Sequence, residues 1–117
     1  MVQDFGQSQF RRGTMPLILL GLLRNGDMYG YQLVQETEKR SGGRIMTQEG
    51  SLYPVLYKLL DAGLISDRKE LVGKRMTRVY YHIEPAGEAH YQELLKEYRE
   101  TYRGVLMIIG GEGNHEE

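Results

Sequence analysis

Residues 47–83 read TQEGSLYPVLYKLLDAGLISDRKELVGKRMTRVYYHI, and the pattern within them decides the fold. Leu52, Val55, Leu56, Leu59 and Leu60 recur at spacings of three and four, which predicts a helix over 48–62 with these residues facing inward. The opposite face then carries Gln48, Ser51, Tyr53, Tyr57 and Lys58. Thr47 is the natural cap, but Pro54 has no amide hydrogen to give Gly50 and would bend such a helix. Regular helix starting only near Ser51 is the alternative, and the sequence leaves both open. Gly63 follows as a left-handed C-cap. Beyond it, 65–71 and 77–83 have strand character, the second more clearly because Thr77, Val79, Tyr81 and Ile83 alternate with Arg78, Tyr80 and His82. The link between them is short and holds Gly73-Lys74-Arg75, so the pair reads as an antiparallel hairpin with a cationic tip.

Upstream, Thr14 can cap a helix whose first turn accepts Pro16, and Leu17-Ile18-Leu19-Leu20 with Leu22-Leu23 makes that helix apolar on most sides. Asn25-Gly26-Asp27 stops it. Asp27 then serves as N-cap for a second helix over 28–40, with Met28, Tyr31, Leu33 and Val34 inward and Gln35, Glu36, Glu38 and Lys39 solvated. Ser41-Gly42-Gly43 breaks the chain before the helix at 48–62. Residues 1–13, polar and glycine-containing with Arg11 beside Arg12, predict a loosely ordered arm able to track phosphates or simply to carry terminal charge.

Downstream, Glu84-Pro85 opens a long helix to about 109. Its stripe of Tyr91, Leu94, Leu95, Tyr98, Tyr102, Val105, Leu106 and Ile109 is wider than one small domain needs. Part of it, assigned to Tyr91, Leu95, Tyr98, Tyr102, Val105 and Ile109, is therefore expected to pack against a second copy. Gly104 in this helix either allows close helix approach or marks fraying. Residues 110–117 read as a disordered tail. The expected fold is mainly α with a small β-hairpin: a winged helix-turn-helix over 14–83 and a dimerisation helix over 84–109.

Composition narrows the function classes. The 117 residues suit one domain, and the lack of Cys removes disulfides and thiolate metal sites, as in a reducing cytoplasm. No apolar run reaches the roughly 18 to 20 residues of a bilayer span, and no basic start precedes an apolar signal core, so a cytoplasmic protein without a membrane partner is expected. The net charge of -1 hides an asymmetry. Residues 1–81 hold 12 Lys and Arg against 8 Asp and Glu, whereas 82–117 hold 3 against 8. A basic head and an acidic helix fit a head that faces phosphates.

Several spaced blocks resemble one known family. Tyr29-Gly30-Tyr31-Gln32-Leu33, then Gly50-Ser51-Leu52-Tyr53-Pro54 with Leu56 and Leu59, then Gly63-Leu64-Ile65, then Arg78-Val79-Tyr80-Tyr81 and Gly87 look like the PadR family of bacterial transcriptional regulators, over residues 14–109. The resemblance implies a homodimer joined through the final helix, bound to a near-palindromic operator and repressing until an effector binds. It implies the short subfamily with a single C-terminal helix. It also implies a small aromatic effector between the subunits, for which Met15 and Tyr98 are the candidates. Glu84 stands where many members have Thr, and Tyr98 where drug-sensing members carry a stacking Trp.

Duplex DNA requires cations for phosphates and hydrogen-bonding groups for base edges. Gln48 and Ser51 are placed for bases, since Gln can pair with adenine in bidentate fashion. Tyr53, Tyr57 and Lys58 suit phosphate or sugar; the alternative is that Tyr53 packs under Pro54 and Lys58 is simply solvated. Lys74 and Arg75 at the wing tip and Arg78 at its base complete the set. Catalysis is not expected: His82, His90 and His115 lack metal-ligand spacing, no phosphate-binding glycine motif links a strand to a helix, and Ser51 has no partner base. No cofactor is called for. The alternative to a DNA reader is a winged-helix module that binds protein.

Overall fold

The computed structural model describes residues 7–110. In chain order the elements are α1 (Gln7–Arg12), α2 (Met15–Leu23), β1 (Met28–Tyr29), α3 (Gly30–Arg40), α4 (Glu49–Asp61), β2 (Ile65–Val72), β3 (Met76–Ile83) and α5 (Pro85–Ile109). The core lies where three helices meet the sheet. Leu19, Leu20 and Leu23 of α2, Leu33 of α3, and Leu52 and Leu56 of α4 are fully enclosed, and Met28, Ile65 and Tyr81 close the layer from the sheet. Burial pushes the Tyr81 hydroxyl up to about 12, so it stays neutral. Thr37 is the polar side chain inside; its hydroxyl donates to the Leu33 carbonyl, 2.8 Å away.

Five local expectations need correction. Of the arm expected over 1–13, residues 7–12 are helical, with Arg11 and Arg12 exposed, and residues 1–6 lie outside the described residues. Thr14 precedes α2 but does not cap it: its hydroxyl turns back to the Arg11 carbonyl at 2.7 Å. Residues 28 and 29 are a strand, antiparallel to β3 with Met28 opposite Tyr81 and Tyr29 opposite Tyr80, so the hairpin is the larger part of a three-stranded sheet ordered β1-β3-β2. Consequently α3 starts at Gly30 and Asp27 is not its cap; Gln32 reaches back to the Tyr29 amide instead. Tyr31, expected inward, is exposed. The tail at 110–117 lies outside the described residues apart from Gly110, which closes α5 at φ +64°.

The helix α4 begins one residue after Gln48, and Pro54 sits inside it. Gly50 is exposed, so water can satisfy the carbonyl that Pro54 leaves without a donor. The backbone turns positive at Gly63 (φ +74°), and after Leu64 the chain enters β2. At the other end of the hairpin, β2 and β3 pair in unbroken register from Ile65–Ile83 to Val72–Met76, leaving Gly73, Lys74 and Arg75 as a three-residue turn. Gly73, at φ +74°, supplies the positive φ.

The first turns of α5 are welded to the head. The Leu64 carbonyl accepts the Glu84 amide at 3.0 Å, Ser66 donates to the Glu84 carboxylate at 2.5 Å, and the Gly87 backbone presses onto Leu64. Arg24 bonds Glu88 at 2.7 Å and lies 4.5 Å above the Tyr91 ring, which packs against Gly21. The C-terminal half has no such cover.

Candidate nucleic-acid interface

The helix α4 is held by its apolar stripe, which turns the start of the helix outward. Gln48, Gly50 and Ser51 are all exposed. Tyr53 behaves differently from its neighbours: it is half-buried, its hydroxyl donates to Glu49 Oε2 at 3.1 Å, and its ring stacks on Tyr57 with centroids 6.0 Å apart. Burial first, then the Glu49 carboxylate, raises the Tyr53 pKa. Tyr53 is thus occupied within the protomer. Tyr57 and Lys58, one turn on, remain exposed.

Lys74 and Arg75 are exposed at the wing tip. Arg78 is half-buried at the wing base, its guanidinium 4.2 Å above the Tyr29 ring. The charges sort into two groups. Arg24, Arg40 and Arg68 are paired with carboxylates, whereas the other described Lys and Arg side chains, Lys58, Lys74, Arg75 and Arg78 among them, form no ion pair. Lys69 on β2, exposed and equally unpaired, is a cation the sequence reading passed over. It could have been found from the strand alternation, which puts it on the same side of the hairpin as Leu71.

A second cluster was invisible before the fold was known. Arg68 donates from Nε to Glu70 at 2.7 Å and from Nη1 to Asp27, while His82 Nδ1 lies 2.7 Å from the other Asp27 oxygen. The His82 hydrogen bond, then that from Arg68, holds the Asp27 carboxyl below the ordinary carboxylate range. Three distant parts of the chain meet here, because β1 brings Asp27 to the sheet edge. No group of His and carboxylates among the described residues could hold a metal ion.

Of the residues assigned to the dimer contact and effector site, Tyr91 packs inside the protomer and Leu95 is half-buried. Tyr98 and Tyr102 are exposed and stacked, with centroids 6.2 Å apart, and Val105 and Ile109 are exposed. Met15 is a core residue. No described helix is long and apolar enough to cross a membrane.

The geometry matches known proteins. The model of the transcriptional regulator PadR-like family matches residues 19–93. A transcriptional regulator of Mycobacterium tuberculosis is 34% identical over 98 residues, covering 84% of this chain and 88% of that protein. A PadR family regulator from Eggerthella lenta superposes with a TM-score of 0.80 at 25% identity, covering 92% of each chain. Bacillus subtilis PadR, a negative transcriptional regulator, is 27% identical over 93 residues, and this chain spans only 51% of its length. Its structure in complex with operator DNA matches with a TM-score of 0.65, over 70% of this chain and 47% of that one. With a family match that takes in the core helices, the wing and the welded start of α5, this chain belongs to the PadR-like family of transcriptional regulators.

Proposed function

We propose that this regulator binds a near-palindromic operator as a homodimer, acts as a repressor, and is released by a small aromatic effector. The observation that carries DNA binding is the coincidence of an exposed α4 start, Gln48 and Ser51, with cations free of ion pairs at Lys58, Lys74, Arg75 and Arg78. In this reading α4 enters the major groove with Gln48 and Ser51 at base edges, and the wing tip rests on flanking phosphates. Two such heads sit one helical turn apart, about 34 Å. Tyr57 and Lys58 touch the backbone; Tyr53 fixes the angle of the first turn through Glu49.

The second copy covers the apolar half of α5, where Ile108 is 84% exposed and Ile109 66%. Gly104 meets open space within the protomer, which suits close approach of a partner helix. An aromatic effector stacks on exposed Tyr98; Met15 joins only if the core beside it opens. Repression is the mode of the Bacillus subtilis relative. Effector binding would alter the head separation through the rigid start of α5.

A salt titration tests the proposal. With a duplex carrying the inverted repeat from the gene's own upstream region, log affinity should fall linearly with log salt, by about 0.9 per phosphate neutralised. Lys74→Glu with Arg75→Glu, four charges per dimer, should flatten that slope by about three to four. Absence of duplex binding at low salt would instead favour a protein-binding module.

A further inference from the structure

The outward face of the sheet carries an unusual arrangement of charge. Cross-strand register puts Glu70 directly opposite Arg78, where an ion pair is the ordinary result. None forms. Glu70 instead turns along its own strand and accepts Arg68 Nε at 2.7 Å, while the same guanidinium also donates to Asp27. Arg68 thereby engages both of these carboxylates. Arg78, relieved of its natural partner, lies over the Tyr29 ring at 4.2 Å, and Tyr29 is braced edge-on by Tyr80 with centroids 5.4 Å apart. Arg68 in turn packs over Tyr80 at 5.3 Å. A ring face holds a guanidinium in place without neutralising it or using its N–H donors, whereas a carboxylate does both.

We propose that Arg68 and Tyr29 are positioning residues for DNA binding: Arg68 draws Glu70 away and Tyr29 aims Arg78, leaving the Arg78 guanidinium charged and free for a backbone phosphate. This rests on the DNA-binding reading above. Loss of Arg68 releases Glu70 to close on Arg78 and removes a phosphate contact from a residue whose own charge never changes.

The test uses the full-length protein and the upstream inverted-repeat duplex, with affinity and salt slope measured for each variant after a melting curve confirms folding. Arg78→Gln removes one phosphate contact per protomer and should lower the slope by about two and affinity at moderate salt by about 10- to 100-fold. Arg68→Gln should reproduce most of this loss. Adding Glu70→Gln to Arg68→Gln should restore the wild-type slope, whereas adding Asp67→Asn, which corrects net charge equally but on the opposite face, should not. In an Arg78→Gln background, Arg68→Gln should change affinity less than twofold. Tyr29→Phe should bind normally and Tyr29→Leu should weaken binding. Additive losses for Arg68 and Arg78, or equal rescue by Asp67→Asn, would overturn the proposal in favour of direct contact or net charge. A wild-type protein that binds with a steep salt slope while Arg78→Gln binds equally well would overturn it and leave the DNA-binding reading intact. Absence of salt-dependent binding by the wild type would overturn both.

Discussion

Gly87→Ala is expected to destabilise the protein by about 3 kcal/mol or more, because nothing near that position can yield. A Cβ there would lie 2.1 Å from the Leu64 carbonyl oxygen and 2.9 Å from Ile83 Cγ1. The Leu64 carbonyl cannot swing aside cheaply, since it accepts the Glu84 amide, and the Leu64 amide is itself bonded to the Leu59 carbonyl. Relief therefore requires lifting α5 off the head. That would break the Glu84 bond and loosen the Arg24–Glu88 contact beside it and the Tyr91–Gly21 contact one turn on. Urea unfolding at fixed protomer concentration measures the loss. Gly104→Ala on the same helix is the control: its Cβ meets open space within the protomer, so any cost at that position must come from a partner helix. A Gly87→Ala midpoint within error of wild type would mean that α5 is not fixed to the head.

If two copies meet through α5 as proposed, Val105→Glu combined with Ile109→Glu converts dimer to monomers and weakens operator binding by about 10²- to 10⁴-fold, the factor lost when two linked half-site contacts become independent. The two positions are one turn apart on the exposed part of α5, where Tyr98, Tyr102 and Ile108 are also uncovered. A charge placed in this exposed apolar row costs little in an isolated chain and much once a second copy buries it. Sedimentation equilibrium and operator binding on the same samples give the two readouts. A single protomer already binding as tightly as the wild type would remove the second copy from the account.

The elements legible in the sequence were those whose shape is set by their own side chains. The spacing of Leu52, Leu56 and Leu59 in α4 and the alternation along β3 hold in the structure, and so does the long α5. β1 was not legible because two residues carry no period. Met28 and Tyr29 are extended only because β3, some fifty residues later, offers them an edge, and Met28 fits a helical stripe as well as a strand. Asp27 was misread for the same reason: an acid before a helix looks like a cap until the partners Arg68 and His82 arrive from other strands. Of the residues assigned to DNA, the exposed ones needed only the phase of α4 and the position of the turn. Tyr53 and Arg78 could not be judged from sequence, since each is held by an aromatic or acidic neighbour that phase alone does not reveal. Tyr91 shares the stripe of α5, yet Gly21 leaves room for its ring inside the protomer.

Directed cleavage reads whether the start of α4 lies in the groove of a duplex. The chain contains no Cys, so a single Cys at Gln48 can carry an iron chelate that cuts nearby DNA, and a Cys at Glu93 on exposed α5 provides the comparison. From position 48, two cleavage sites are predicted, placed symmetrically about the operator centre and about 10 base pairs apart. From position 93, none is predicted; cutting from 93 with none from 48 would place α5, not α4, against the duplex.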